Sequence, residues 1–375
     1  MKQYLGEMEA STGIANLKDK IPIIEANGSD VKSMSKAFQN ANLVMNCIGP
    51  YSLLGEPVVK ACIDSKSIQC NYNAAAARNQ VYVVGSCGFD SIPADIGTQY
   101  LKQKFPGHLH QVEHLLELWY NERNRFSYAT WIALIEGYKH APQLKRIRKE
   151  LFSPTSSVYK PYTWIVPQKR SSFKRSSRGY IVPFPGSDRS VVKRTQLHRY
   201  SVFNELPTQL EAYYCIRDLK TVLRYAAMGF NLSTFTKYEF TERLLRKYGD
   251  FFSLGTFEKG KMPDRQMLLE NQFKLTLLGR GWPKKIADSD KSVSNMTQQS
   301  AVIIRGGDGA YIETATIAIN TALVLLEEIY RQQKNTTLPY GVITPGSIIP
   351  PEALVNRLNR EGRVVVDFVE NYQGE

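Results

Sequence analysis

Leu43-Val-Met-Asn-Cys-Ile-Gly-Pro-Tyr-Ser-Leu-Leu-Gly-Glu-Pro57 and Val81-Tyr-Val-Val-Gly-Ser-Cys-Gly-Phe-Asp-Ser-Ile-Pro-Ala-Asp-Ile-Gly97 are the stretches whose reading decides the fold. Each opens with a short apolar run, breaks at glycine and resumes in helix-forming residues. A buried strand that stops in a glycine-bearing loop and restarts as a helix is the local pattern of a parallel α/β sheet. Ligands gather outside the carboxyl ends of such strands. Working outward, Ile21-Pro-Ile-Ile-Glu-Ala26 and Ser67-Ile-Gln-Cys-Asn-Tyr72 read as further strands. Thr12-Gly13 closes an initial helix. Ser29-Asp30 caps a helix to about Asn40, and Glu56-Pro57 opens another, with proline where no backbone donor is needed. The link from Tyr72 to Val81 is shorter than a parallel crossover requires.

Beyond Gly97 the pattern changes. The segments 111–120, 190–203, 271–278 and 300–305 are rich in β-branched and aromatic residues and read as strands. Helices are expected at about 129–150, 208–229, 235–248 and 312–331. Residues 153–187, full of Ser, Pro, Lys and Arg, read as a long basic surface loop, and 284–298 as another loop. Gly341-Val-Ile-Thr-Pro-Gly346 reads as a turn, Pro350-Pro351 as a helix start and Arg363 to Phe368 as a last strand. The expected fold class is α/β. An incomplete Rossmann-type parallel sheet occupies residues 1–97. A second α+β domain with a mixed sheet follows over 98–340, and 341–375 is a turn, helix and strand packing back on the core.

With 43% hydrophobic and 22% charged residues, the composition is that of an ordinary soluble globular protein. No signal peptide is read at Met1, and no apolar run reaches membrane-spanning length, so an intracellular protein is expected. Cys47, Cys62, Cys70, Cys87 and Cys215 show no metal-ligand spacing and are expected to be free thiols in a reducing compartment. The net charge is +13, and residues 139–200 carry it all: seven lysines and eight arginines stand against Glu150 and Asp188. Such a segment is either a solvated surface or a contact for an anionic one, such as lipid headgroups. The basic residues sit in a Ser/Pro-rich loop with no nucleic-acid-binding fold, which disfavours nucleic acid as a partner.

Asn46-Cys-Ile-Gly-Pro-Tyr51 ends a strand, where Gly49 lets backbone approach a ligand and Pro50 stiffens the turn. It is either a ligand-bordering loop or an ordinary strand-to-helix turn. Asp90-Ser91-Ile-Pro93 is a helix start, with Asp90 or Ser91 expected to cap. His108, His110 and His114 share one parity along a strand, are expected at an exposed or edge position, and lack the further ligands zinc requires. No metal site is expected. Gly306-Gly-Asp-Gly309 does not fit a phosphate loop and reads as a turn between strand and helix.

Several motifs, taken in order, resemble the eukaryotic saccharopine dehydrogenase-like oxidoreductase family. They are Asn46 to Tyr51, Gly55-Glu-Pro-Val-Val-Lys-Ala-Cys62, Gly88-Phe-Asp-Ser-Ile-Pro-Ala-Asp95, Gly186-Ser-Asp188 with Val191-Val-Lys-Arg-Thr-Gln196, and Gly341 to Gly346. The resemblance covers nearly the whole chain. It implies a Rossmann-type NAD(P) domain followed by a mixed α/β domain. It also implies oxidoreductase chemistry on an undefined small-molecule substrate, and an association with lipid droplets, mitochondria, membranes and glycolipid metabolism. The family pattern opens with a strand and a Gly-x-x-Gly-x-x-Gly turn, which these 375 residues do not contain. The pyrophosphate cradle is therefore expected to be missing. The cofactor-binding positions that the resemblance leaves are Asn27, Asn46, Gly49, Pro50, Tyr51 and Ser86. Catalytic residues are not assigned. The family's long apolar hairpin is diluted by Arg217, Arg224, Lys237, Arg243, Arg246 and Lys247, so residues 213–254 read as amphipathic helices. The resulting expectation is an oxidoreductase by descent without competent NAD(P) binding. Its rival is a non-catalytic peripheral protein of lipid surfaces, and a homo-oligomer is compatible with either.

Overall fold

Asp30 accepts a hydrogen bond from the Lys32 N–H at 3.0 Å and so starts a helix. In the computed structural model this is one of a few helices in the first of two units, Met1–Ala75 and Ala76–Glu375. The structure describes residues 5–373 except 6–7, 10–11, 15, 50, 64–69, 121–125, 152–173, 177, 262, 284–295 and 336–338.

The first unit holds α1 (Leu17–Lys20), α2 (Val31–Phe38) and α3 (Tyr51–Ile63), and α4 (Cys70–Arg78) carries the chain onward. Met34, Val58 and Ala61 form its small core, with Val31, Phe38, Val44 and Cys62 packed against it. Gly13, at φ +69°, ends the initial helical turn, its N–H reaching the Glu9 carbonyl at 3.1 Å. Three strand expectations fail here. Residues 21–26 are exposed and irregular, and 43–48 are irregular too. An extended segment becomes a strand only when a neighbour takes up its N–H and C=O groups, and the described neighbours are helices. Tyr72 lies in α4, not in a strand, because Ala74 to Ala77 is a strong helix former; part of the expected strand 67–72 lies outside the described residues. The helix assigned to Glu56-Pro57 begins at Tyr51, and Pro57 sits inside it.

The second unit runs β1 (Tyr82–Val84), α5 (Ile92–Lys104), β2 (His108–Trp119), α6 (Tyr128–Lys139), α7 (Ala141–Leu151), β3 (Lys174–Ser176), β4 (Gly179–Pro183), α8 (Asp188–Phe203) and β5 (Gln209–Ile216). It continues through α9 (Leu219–Phe235), α10 (Glu239–Lys247), α11 (Gly249–Phe252), α12 (Arg265–Glu270), β6 (Gln272–Trp282), β7 (Gln298–Gly306) and α13 (Ile312–Asn335). It closes with β8 (Gly341–Ile343), α14 (Pro345–Ile348), α15 (Pro351–Glu361) and β9 (Val364–Glu370). The fold is α/β, with a parallel pair and a mixed sheet. β1 pairs in parallel with β8, from Tyr82 opposite Gly341 to Val84 opposite Ile343. The stretch expected as a terminal turn thus supplies the partner strand. The mixed sheet has the order β3-β4-β5-β2-β6-β7-β9. Only β2 and β5 are parallel in it.

β2 lies at the centre of that sheet, so the histidines are not on an edge. His110 and His114 are buried, and a bulge between Leu109 and Gln111 interrupts the parity on which they were grouped. Residues 190–203, read as a strand, form the body of α8. Their buried positions Val191, Val192, Thr195 and Gln196 follow a helical, not an alternating, spacing. The helix placed at 208–229 begins only at Leu219, because Gln209–Ile216 is claimed by the ladder to β2. Within the loop assigned to 153–187, the described part contains β3 and β4; the rest, and most of 284–298, lie outside the described residues. α5 lies on β6 and β7, and a Cβ on Gly97 would meet Leu277 Cδ1 at 2.4 Å, so glycine permits that approach. A separate helical core joins Trp131 and Ile135 of α6 to Leu232, Leu245 and Phe257. The Trp131 Nε1–H donates to the Leu245 carbonyl at 2.9 Å.

Candidate functional site

The loop from β1 into α5 is fixed by small residues. The Phe89 N–H donates to Thr314 Oγ1 at 3.0 Å. A Cβ on Gly88 would lie 2.6 Å from that hydroxyl, and one on Gly309 would lie 2.8 Å from the Phe89 ring. Ser91 follows at φ +131°, a conformation that costs a side-chain-bearing residue free energy. It is fully buried and makes no helix-cap hydrogen bond, which corrects the capping role assigned to it. Its hydroxyl turns instead to Ser187 Oγ at 3.1 Å and donates to Asp188 Oδ1 at 3.3 Å.

Three of the quoted motifs meet at this point. Asp95, one turn into α5, is fully buried and accepts the Gly346 N–H at 2.8 Å. Burial pushes its carboxyl up to about 6, opposed by the Thr195 hydroxyl, the Gly346 N–H and the Arg199 charge. Thr195 Oγ1 lies 2.5 Å from Thr344 Oγ1, which in turn lies 2.8 Å from Ser347 Oγ. Arg199 donates to the Gly346 carbonyl at 3.2 Å, and Arg194 to that of Val342 at 2.7 Å. α8 is thereby tied to both β8 and α14.

His114 Nδ1 stands 3.3 Å from Asp188 Oδ2. Burial lowers His114 to about 3. Burial raises Asp188 to about 7, with Asp90 and Asp95 adding and Ser91 opposing. The imidazole is therefore neutral, and Asp188, which accepts the Ser91 hydroxyl and has His114 beside it, is pushed up to about 7. A carboxyl poised there can give or take a proton. The neighbouring Cys87 is held as a thiol, pushed up to about 12 by burial and then by Asp95.

The positions assigned to cofactor binding lie elsewhere. Asn27, Asn46, Gly49 and Tyr51 belong to the first unit. A Cβ on Gly28 would be 3.8 Å from Ile48 Cδ1, so the turn at Asn27 runs beside the segment from Asn46. Asn27 Oδ1 accepts the Ser29 N–H at 3.0 Å, and Asn46 Oδ1 the Ile48 N–H at 3.0 Å. The Tyr51 hydroxyl donates to the Asn46 carbonyl at 3.0 Å. A Cβ on Gly49 would meet nothing within 4 Å, so no close approach requires glycine there. Pro50 lies outside the described residues. Ser86, in the second unit, is exposed at φ +62° on the loop after β1.

These residues do not fit a dinucleotide. The helix start at the head of the β1/β8 pair, α5, is a poor place for an anion. Its first turn contains Pro93, which has no N–H, and Asp90, Asp95 and Asp188 cluster around it. Three carboxyl groups oppose a dianionic ligand. In the first unit, the Asn27 and Asn46 amide oxygens are already engaged by neighbouring backbone. His114, Asp188, Thr195 and Thr344 had no role assigned from sequence. Asp188 and Thr195 lay inside quoted motifs, but only the packing of α8 brings them to Ser91 and Asp95. Among the described residues no cluster able to hold a metal ion occurs.

No family model matches the chain. It is 30% identical over 381 residues to a saccharopine dehydrogenase-like oxidoreductase of Homo sapiens, covering 96% of this chain and 86% of that protein. It is 30% identical over 346 residues to the lipid droplet localized protein of Caenorhabditis elegans, covering 86% and 78%. With a probable mitochondrial saccharopine dehydrogenase-like oxidoreductase of Arabidopsis thaliana it shares 26% identity over 383 residues, covering 91% and 82%. Its fold is similar to that of apo saccharopine dehydrogenase (L-Glu forming) from Saccharomyces cerevisiae, with a TM-score of 0.51, 11% identity, and 98% and 92% of the two chains covered.

Proposed function

Because the chain belongs to the saccharopine dehydrogenase-like oxidoreductase family, we propose that it works at the surface of lipid droplets, bound through the helices α9 to α11 and the basic stretch 139–200. The observation that carries this reading is the outer side of those helices. Leu223, Phe230, Phe240 and Phe251 are 61%, 66%, 73% and 75% exposed. Burying such a side chain stabilises by roughly 1.5–3 kcal/mol, so four exposed together are a large unused driving force. Lys220, Arg243 and Lys247 are exposed on the same helices and Lys237 on the turn between two of them, and each contributes about 1 kcal/mol near an anionic surface. Among the described residues no helix is long and apolar enough to cross a membrane. That fits helices lying in an interface. A relative named for lipid droplets supports the location, and one named as mitochondrial makes that organelle's outer surface the second site to test.

Oxidoreductase chemistry is the family's, with NAD(P) as its usual cofactor. The carboxylates at the head of α5 support the narrower proposal that these 375 residues do not hold NAD(P) by themselves. The alternative of a non-catalytic lipid-surface protein rests on the same observation. Flotation with triacylglycerol droplets coated in neutral or anionic phospholipid tests the location. Binding should be stronger to the anionic coat and weakened by salt. Replacing Leu223, Phe230, Phe240 and Phe251 together by serine should abolish it without lowering the melting temperature. Absence of binding to either coat, or full binding by the serine variant, overturns the reading.

A further inference from the structure

The mixed sheet ends in two unlike edge strands. β3, at one end of the order, has three residues, Lys174-Arg-Ser176, two of them basic. Short length and positive charge themselves discourage pairing with another chain. β9, at the other end, has neither. It runs seven residues, Val364-Val-Val-Asp-Phe-Val-Glu370, and among the described residues no strand lies beyond it. Val364 to Val369 is β-branched and aromatic with a single charge, the composition of segments that self-pair. That charge, Asp367, is paired with Arg305 of β7.

In an antiparallel ladder, successive residues turn their N–H and C=O groups to alternate sides. Val366 stands opposite Ile304 of β7, but its N–H donates to Asn359 Oδ1 at 2.7 Å and its C=O accepts from Asn359 Nδ2 at 2.9 Å. Both groups therefore face away from β7 and so, by alternation, do those of Val364 and Phe368. The Asn359 amide makes the same two hydrogen bonds that a residue of a further strand would exchange with Val366. The chain path places it there. Leu354, Val355 and Leu358 bury one side of α15, and Gly362 at φ +76° reverses the chain behind it. The last turn of α15 thus brings Asn359 to the outer side of β9. Asn371, at φ +54° with its Oδ1 accepting from Gln298 Nε2 at 2.9 Å, ends the strand.

We propose that Asn359 is a built-in stop on strand pairing, an autoinhibitory contact that keeps β9 from joining β9 of a second copy as an antiparallel pair. With the amide in place, a second β9 must break both hydrogen bonds before it can make its own at Val366. A second copy is the partner this edge suits, because two identical strands related by a two-fold axis present the same outward groups and the same apolar run to each other. The proposal involves neither the exposed face of α9 to α11 nor anionic lipid, so it stands or falls separately from the lipid-droplet reading.

Asn359→Ala in the full chain tests it. Asn359 is exposed, so the variant opens no core cavity. Sedimentation equilibrium should show the variant associating at least about tenfold more tightly than the parent, the order of one ordinary hydrogen bond. Residue-level hydrogen exchange locates the association. In the parent, the Val366 amide should be protected at every protein concentration and the Phe368 amide should not. In the variant, both should exchange fast when dilute and become protected together when concentrated, a recovery that a purely structural role would not produce. Phe368→Pro added to Asn359→Ala removes an outward donor at a position where an edge strand accepts proline, and should return association to the parent's level. Asn359→Asp keeps the acceptor for the Val366 N–H and loses the donor, so it should associate to an intermediate degree, and it carries the same test if the alanine variant does not fold. No gain in association, or a gain without concentration-dependent protection at Val366 and Phe368, overturns the proposal.

Discussion

The Gly346 backbone N–H donates to Asp95 Oδ2 at 2.8 Å, and a Cβ on Gly346 would lie within 2.9 Å of the same carboxyl group. The contact joins the first turn of α5 to the turn after β8, far apart in sequence. Here the need for glycine is steric, since only a residue without a side chain lets this backbone approach the carboxyl. Gly346→Ala should destabilise the chain by about 1–3 kcal/mol, the usual cost of overpacking. Asp95→Ala in the same chain should recover part of that loss, because it removes the atoms the new methyl meets. Urea denaturation of the two single variants and the double variant measures the coupling. Additive losses would show that Gly346 is needed for another reason.

Acidity at Asp188 and Asp95 should set how stability depends on pH. Their folded values, about 7 and about 6, lie above the ordinary carboxyl range. The folded state therefore holds protons that the unfolded state releases above pH ~4. The stabilisation is fully present below that and is lost as pH rises through 6 to 7. His114, lowered to about 3, acts in the opposite sense: the unfolded state takes up a proton below about 6.5 while the folded imidazole stays neutral, so stability also falls on acidification. The melting temperature should pass through a maximum near pH ~4 and decline from there to about pH 7, levelling off above it. Asp188→Asn should flatten that decline. A decline of unchanged steepness in that variant would place the titration elsewhere.

Ser91 tests whether its backbone conformation carries a cost. Alanine at this position loses the hydroxyl contacts to Ser187 and Asp188 and keeps the side chain at φ +131°. Glycine loses the same contacts but tolerates that φ. Ser91→Gly should therefore be more stable than Ser91→Ala by about 1 kcal/mol, the reverse of the order usual within helices. Thermal melts of both variants decide it.

Cofactor binding is open to a direct test. Titrating the 375-residue chain with NADH and NADPH should give no saturable change in cofactor fluorescence at low micromolar concentration. The physical reason is the crowding of Asp90, Asp95 and Asp188 around the head of α5. Tight binding would mean that residues of the first unit supply a cradle that their present hydrogen bonds do not suggest.

Sequence alone determined those features that depend on local chemistry. Asp30 caps α2 because its carboxylate reaches the next turn, Gly13 ends a helical turn in a left-handed conformation, Pro350-Pro351 opens α15, and Asp308 turns β7 into α13. Residues 82–84, 272–282, 298–306 and 364–370 pair as strands near where their β-branched runs placed them. The motif resemblance identified the family, and the amphipathic helices read over 213–254 rested on its interspersed charges; α9, α10 and α11 lie within that span, while its first residues belong to β5. Tertiary structure decided what depends on a partner. Ile21 to Ala26 and Leu43 to Ile48 have strand-like composition but no strand beside them among the described residues, whereas Gly341 to Ile343, read as a turn, found one in β1. Gln209 to Ile216 became a strand because β2 lay alongside, and Ser190 to Phe203 a helix because its apolar face could lie on α5. The polar centre is the plainest case. Ser91, Asp95, His114, Asp188 and Gly346 come from four separate stretches whose local patterns carry no sign of one another, and burial, which shifts their protonation, exists only once the chain has closed around them.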